Sequence, residues 1–356
     1  MPEGKPFIRS GELFDCLNPF EEGESIDLLF NDSMNEALHW HLSNCNDYKA
    51  FLSENGLVDN RLQYLPEQIP PILTDIFKKY KLLSVPEKQI KLKISSNNND
   101  FTENKLLLDA RSHKRILKIY EKIFDYFGFV EHNQKVNYLC FTYDSKYETE
   151  LNGNFYFNIL TDLTAHRSVY YAIRFNKKTS EFNFDLDAAA KKIIDFSCHA
   201  EPVRIIGSSY YIKQICDWFE THDLSLKLNK KSCVFILDEP DIIFNNDNNL
   251  KNKLEKLFDI LTDNIRKILI FPYQGIPYIE CKKGCFHMPV YAKAVTFEPE
   301  SLVPLDDGYE GILGLMTPYL TSFPGISLLT TYKSVIEDCN CGIGSKTFRI
   351  IDSGIK

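Results

Sequence analysis

The sequence predicts an α/β fold. A helical N-terminal region covers residues 1–90, a parallel sheet layered by helices covers 91–277, and a smaller β-rich unit covers 278–356. Three observations carry this. The runs PVRIIG, SCVFILD and RKILIFP are apolar without alternation, and helical segments separate them. Strands of that kind belong to a parallel sheet covered on both faces. The first 90 residues carry apolar side chains mostly at helical spacing. After residue 278 the chain turns to short strands broken by Gly and Pro.

In chain order, MNEALHWHLSNCNDYKAFLSENG reads as helical and ends on Asn55-Gly56, a C-cap signal. Pro66, Pro70 and Pro71 punctuate a connection, and Thr74 precedes a short helix, DIFKKYK. QIKLKI alternates like a strand, and the Asn-rich loop SSNNNDFTEN follows it. DARSHKRILKIYEKIFDYFG is an amphipathic helix with Gly128 just past its end. From residue 185, the helices DLDAAAKKIIDFSCH, YYIKQICDWFETHD and LKNKLEKLFDILTDN alternate with the three apolar strands, and a second Asn-rich loop lies at 245–249. The β-rich end reads MPVYAKAVTFEP, GYEGILGLMT, GISLLTTY and KTFRIID. No internal repeat is evident.

Composition excludes several functions. With 44% hydrophobic and 25% charged residues, a packed interior is expected and dominant disorder is not. Lys and Arg number 41 against 49 Asp and Glu, a net charge of −8. Affinity for nucleic acid comes from neutralising phosphates, so such a role is disfavoured. No apolar run reaches membrane-spanning length. The start, MPEGKPFIRSGELFDC, lacks the apolar core of a signal peptide. A cytoplasmic chain is therefore expected, with ten cysteines kept as thiols or metal ligands rather than disulfides.

The last eighty residues hold an ordered set of motifs. Cys281 and Cys285 come first, then Phe286-His287-Met288-Pro289. VTFEPESLVPLDDGYEGILGLMTPYLTSFPGISLLTTY follows, then Cys339-Asn340-Cys341-Gly342. With LHWHLSNCNDYKAF, the Pro-rich connection and VRIIGSSYYIKQIC upstream, this order resembles the acyl-protein synthetases of the LuxE type. It is also similar to the phenylacetate–CoA-ligase branch of the adenylate-forming ligases, over nearly the whole chain. The resemblance implies the large domain of such a ligase, with no lid domain after KTFRIID. It also implies a chemistry in which ATP and a carboxylic acid form an acyl-adenylate and pyrophosphate, and the acyl group passes to a thiol.

That chemistry needs a Gly-rich phosphate cradle, a Mg²⁺ carboxylate and a carboxylate for the ribose. Four positions depart from it. The phosphate loop falls at Ser95, Ser96 and the following NNND; the serines fit, but glycine is missing and Asp100 is acidic. A unit charge about 6 Å from phosphate costs about 3 kcal/mol at an effective dielectric near roughly 20. The plainer reading there is a polar surface loop. Where the family has its Gly-rich adenine turn, this chain has Leu237-Asp238-Glu239-Pro240-Asp241, acids that are more often solvated than metal-bound. Counting back from Cys281, the Mg²⁺ carboxylate falls near Phe271, and the nearest acid is Glu280. The ribose acid should follow Thr330, but the chain reads Thr330-Thr331-Tyr332-Lys333.

The cysteines read differently. Cys281-x3-Cys285 and Cys339-x-Cys341-Gly342 are two short knuckles whose four thiolates suit a tetrahedral structural Zn²⁺. Related ligases carry a similar two-part site, so the resemblance points the same way. Four unrelated buried thiols are the competing reading. His287 is an alternative ligand, though two residues past Cys285 it suits a strand start. Cysteines 16, 45, 140, 198, 216 and 233 lie scattered on apolar segments and most read as packing, with Cys45 a candidate surface thiol. Cys198 with His199 is an improbable nucleophile pair, and His39 and His41, two apart on a helix, face different sides.

The expected function is that of a degenerate acyl-protein synthetase homologue with a decayed ATP site, binding or scaffolding an acyl-transfer enzyme or carrier protein. The alternative is an active ligase using ATP and Mg²⁺ to move a fatty or aryl acyl group onto a thiol. A plain zinc-binding interaction module is a third reading.

Overall fold

The computed structural model describes residues 7–57, 62–95, 105–144, 146, 154–176, 179, 181–237 and 248–352. Residues 96–104 and 238–247, with most of the two Asn-rich loops and with Ser96, Asp100 and Asp238, lie outside the described residues, while Asn248 and Asn249, expected in the second loop, open a helix. The chain divides into two compact units. The first comprises residues 1–126, 271–278 and 285–356; the second comprises 127–270 and 279–284. Among the described residues no helix is long and apolar enough to cross a membrane.

The second unit is the parallel α/β layer. Five of its strands stand in the order Ile265–Ile270, Cys233–Leu237, Val203–Gly207, Val136–Cys140 and His166–Tyr171, and every neighbouring pair is parallel. The inner strands are buried along their length, which is why they read as unbroken apolar runs. Helices Leu186–Ser197, Ser209–Thr221 and Asn248–Phe258 cover the sheet. Ile193 and Phe196 of the first helix, Ile212 and Phe219 of the second, and Leu254 and Phe258 of the third share one core with Ile205 and Val234. Asp185 caps the first helix by accepting the Ala188 N–H at 2.9 Å. Five elements of this unit are absent from the sequence reading: the strands Val136–Cys140 and His166–Tyr171, the two hairpin strands Ile173–Asn176 and Glu181–Phe184, and the helix Phe155–Asp162.

The first unit joins the N-terminal helices to the β-rich end. Ile8–Asp15, Glu24–Asn44, Asn46–Glu54 and Ala110–Tyr126 are its long helices, and Ile90–Ser95 pairs antiparallel with Lys105–Asp109. Its main sheet runs Phe286–His287, Thr347–Asp352, Ser327–Glu337, Glu310–Met316 and Lys293–Phe297, all antiparallel. Ile72–Leu73 adds a parallel pair, Ile72 opposite Leu328. Gly314 is required on the Glu310–Met316 strand, because a Cβ there would meet the Phe297 ring at 2.3 Å.

Buried polar groups tie the helices to the loop before Ser327. The fully buried His41 meets the Ser84 hydroxyl through Nδ1 at 2.6 Å and the Leu320 carbonyl through Nε2 at 3.2 Å. Its pKa is lowered to about 3, chiefly by burial. Trp40 Nε1 donates to the Thr321 carbonyl at 2.9 Å, and Thr321 Oγ1 donates to Asp109. Asp109 also accepts the Ser112 N–H at 2.8 Å, capping Ala110–Tyr126.

Candidate metal centre

The candidate centre is built where the last strands of the first unit meet. Thr347 stands directly opposite His287, so the turn leading into Thr347–Asp352 brings the Cys339–Gly342 knuckle beside the imidazole. Gly342 and Gly344 take φ of 94° and 97°, a left-handed path that L side chains rarely adopt. The result is a Cys/His group: ligand atoms of His287, Cys339 and Cys341 lie within 4.8 Å of one another. His287 Nε2 and Cys341 Sγ are 3.1 Å apart. The other ring nitrogen, Nδ1, is 2.9 Å from the Ser345 hydroxyl. A metal-bound imidazole commonly fixes its tautomer through such an outer contact. His287 is fully buried, while Cys339 and Cys341 are half-buried.

This donor set fits a soft-to-borderline divalent ion. Thiolates and imidazole suit zinc. Among the described residues the grouped donors include His287, whereas the sequence reading placed Cys285 in the set. The strand register explains the imidazole: residue 287, not 285, is held opposite Thr347. Cys285 is half-buried at the start of that strand. Cys281 belongs to the second unit and is buried. There it forms a tight knuckle of its own: its Sγ accepts the Lys283 N–H at 3.3 Å and its carbonyl accepts the Gly284 N–H at 3.0 Å.

The positions tied to nucleotide chemistry look different. Ser95 ends the strand Ile90–Ser95. Thr330 is buried, and its hydroxyl donates to the Leu313 carbonyl at 2.8 Å while accepting the Tyr332 N–H. Thr331 is exposed on the same strand. Phe271 is buried against Tyr278, Tyr332 and Phe348, with ring centroids 5.9, 5.9 and 6.0 Å away. Glu280, buried in the second unit, is held by Lys251 Nζ at 2.6 Å. Of the remaining thiols, Cys45, Cys140, Cys216 and Cys233 are buried; burial pushes Cys216 up to about 12 and also raises Cys140. Protonated, buried thiols of this kind are packing groups, as the sequence suggested. Cys45 is one of these buried thiols rather than the surface thiol expected of it.

A parallel α/β layer with a β-rich unit is the fold of the adenylate-forming ligases. Two structures of 2-hydroxyisobutyryl-CoA ligase are similar to it. One, holding 2-HIB-AMP and CoA in its thioesterification state, gives a TM-score of 0.66 at 10% identity, over 94% of this chain and 68% of that one. The open conformation gives 0.63 at 12% identity, over 91% and 73%. Within that fold the family is narrower. The model of the acyl-protein synthetase family, LuxE, matches residues 10–355, and the chain belongs to that family. The long-chain-fatty-acid–luciferin-component ligase of Aliivibrio fischeri is 20% identical over 301 residues, 81% of this chain and 74% of that protein.

Proposed function

We propose that this LuxE-family chain has given up acyl-adenylate formation and acts as a cytoplasmic binding or scaffold partner of an acyl-transfer system. The observation that carries this reading is Phe271. Near the position the resemblance reserves for the Mg²⁺ carboxylate, a phenyl ring is buried in an aromatic cluster. Phe has no donor for Mg²⁺, and the rings around it leave an incoming cation only apolar surface. The next acid along the chain, Glu280, is already paired with Lys251. Thr330 spends its hydroxyl on the sheet, and residues 331–336 carry no carboxylate.

On the same reading, zinc is structural. His287, Cys339 and Cys341 hold it, and it secures the β-rich end rather than any reaction.

A second reading keeps the ligase: ATP and Mg²⁺ activate a fatty acid, and the acyl group goes to a thiol. The name of the Aliivibrio relative favours it. Pyrophosphate release separates the two. Purified protein is incubated with ATP–Mg²⁺ and a series of fatty and aryl acids, with and without an acyl-acceptor thiol. No release, and no rise in melting temperature at millimolar ATP, is the expected result. Turnover with any acid would establish the ligase.

A further inference from the structure

An acidic groove of about 610 Å³ opens on the first unit. Its walls carry six carboxylates, Glu21, Glu22, Asp27, Glu67, Asp306 and Asp307, against two lysines. Both lysines are already paired. Lys293 sits 3.2 Å from Glu67 Oε1, and Lys346 sits 2.7 Å from Asp338 and 3.1 Å from Asp307. Glu67 Oε2 is buried and has no hydrogen-bond partner among the described residues. Between the carboxylates the lining is apolar: Ile26 and Phe30 from the helix Glu24–Asn44, Val290, Leu305 and Ile336. The segment that supplies Leu305 and Asp306 also exposes Leu302, Val303 and Tyr309.

Charge selects the occupant. A nucleotide, coenzyme A or an acidic carrier protein would meet excess negative charge at close range. A second copy of this chain, at net −8, brings the same sign on average. A hydrophobic ligand without charge would strip water from the exposed wall carboxylates without pairing them, which is unfavourable. What satisfies both the apolar floor and the walls is a cationic amphipath.

We propose that this groove docks a partner protein through an amphipathic segment whose apolar anchors cover Ile26, Phe30 and Val290 and whose flanking Lys or Arg side chains meet Glu67, Asp27 and Asp306. The anchors supply the desolvated centre of the interface, and the cations supply register and salt-sensitive association. The inference stands whether or not the chain forms acyl-adenylates.

The test uses the full chain and three labelled peptides of one length: Leu with Lys in a helical pattern, the same pattern with Glu for Lys, and the same with Ser for Leu. Fluorescence anisotropy reads affinity at low and high salt, and amide hydrogen exchange locates the peptide. The Leu–Lys peptide is expected to bind at least about tenfold tighter than either control, and more weakly at high salt. Protection is expected over residues 24–30, 288–295 and 304–307. The double variant Glu67→Gln/Asp306→Asn should weaken binding by about tenfold, and Asp47→Asn/Glu54→Gln, on an exposed helix elsewhere, should leave it unchanged. Equal affinity for the three peptides, equal loss in both variants, or protection at another face would overturn the proposal. So would concentration-dependent self-protection of the groove without peptide, which would make a second copy its occupant.

Discussion

Just past the strand Ile265–Ile270 the first unit places a phenyl ring among Tyr278, Tyr332 and Phe348; beyond the end of Ser327–Glu337 it places two thiols beside an imidazole. On the proposed reading, both places correspond to ligand positions of the LuxE-type pattern. One is apolar core, while the other groups donors that suit a metal. A catalytic metal serves turnover alone, so its carboxylate can be replaced by any side chain that fills the space. A structural metal serves folding, so its loss would disturb every strand it secures. The contrast follows if selection on this chain has been for a folded surface.

The largest expected effect tests the centre that was kept. Metal-dependent folding in small metallo-domains is typically worth about 10 kcal/mol or more. Cys339→Ser, or removal of metal by a chelator, should abolish stoichiometric zinc and strip hydrogen-exchange protection from residues 285–352. The parallel strands Val203–Gly207 and Cys233–Leu237 should keep theirs. Protein purified without chelator that holds no zinc would remove the structural-metal half of the comparison.

The next effect concerns the acid that follows Phe271 along the chain. Glu280 is buried and paired to Lys251. Lys251→Met should destabilise the second unit by about 3–5 kcal/mol, because an unpaired buried carboxylate remains. Adding Glu280→Gln should recover most of that loss in urea unfolding. A Mg²⁺-binding role for Glu280 predicts instead that the single lysine substitution increases metal affinity.

A smaller effect is set by pH. His41 is neutral and buried, with a pKa lowered to about 3 from the usual 6.5. Below pH 6.5 the unfolded chain takes up a proton that the folded one does not. The stability of the neutral state is therefore complete above pH 6.5 and declines as pH falls towards 3, by up to about 1.4 kcal/mol per pH unit. Ser84, the Leu320 carbonyl and the nearby Asp109 face the ring. His41→Gln should flatten that slope in the first unit, read as the urea midpoint between pH 4 and 7.

How much of this was legible depended on burial on both faces. PVRIIG, SCVFILD and RKILIFP could be read as strands because nothing polar interrupts them. VNYLC was missed because Asn137 breaks the apolar run, although it too is buried. HRSVYY was missed because it is an edge strand with a polar, exposed start. GISLLTTY continues to Glu337, because Thr331 and Lys333 point to solvent midway and hide the strand. At the candidate centre, spacing was enough to mark Cys339 and Cys341. The place of His287 depends on its cross-strand register with Thr347, which no local pattern encodes. The acidic groove joins residues from four distant segments, so its charge is diluted in a chain-wide total of −8.

The smallest expected effect isolates the second unit from the metal altogether. Asp185 precedes the helix Leu186–Ser197 and accepts the Ala188 N–H through Oδ1. It satisfies one of the amide groups that a helix start leaves without a partner, and its charge opposes the positive end of the helix dipole. Asp185→Ala removes both, at a cost of about 1 kcal/mol. Asp185→Asn keeps the acceptor and loses only the charge, so it should lie between the variant and the parent. Because Ile193 and Phe196 of that helix belong to the core over the parallel sheet, the loss should appear in the unfolding of the second unit. Zinc content, and the exchange protection of Phe286–His287 and Thr347–Asp352, should not change. A cap substitution that also released zinc would mean that the two units unfold as one, and the metal would then be holding the whole chain.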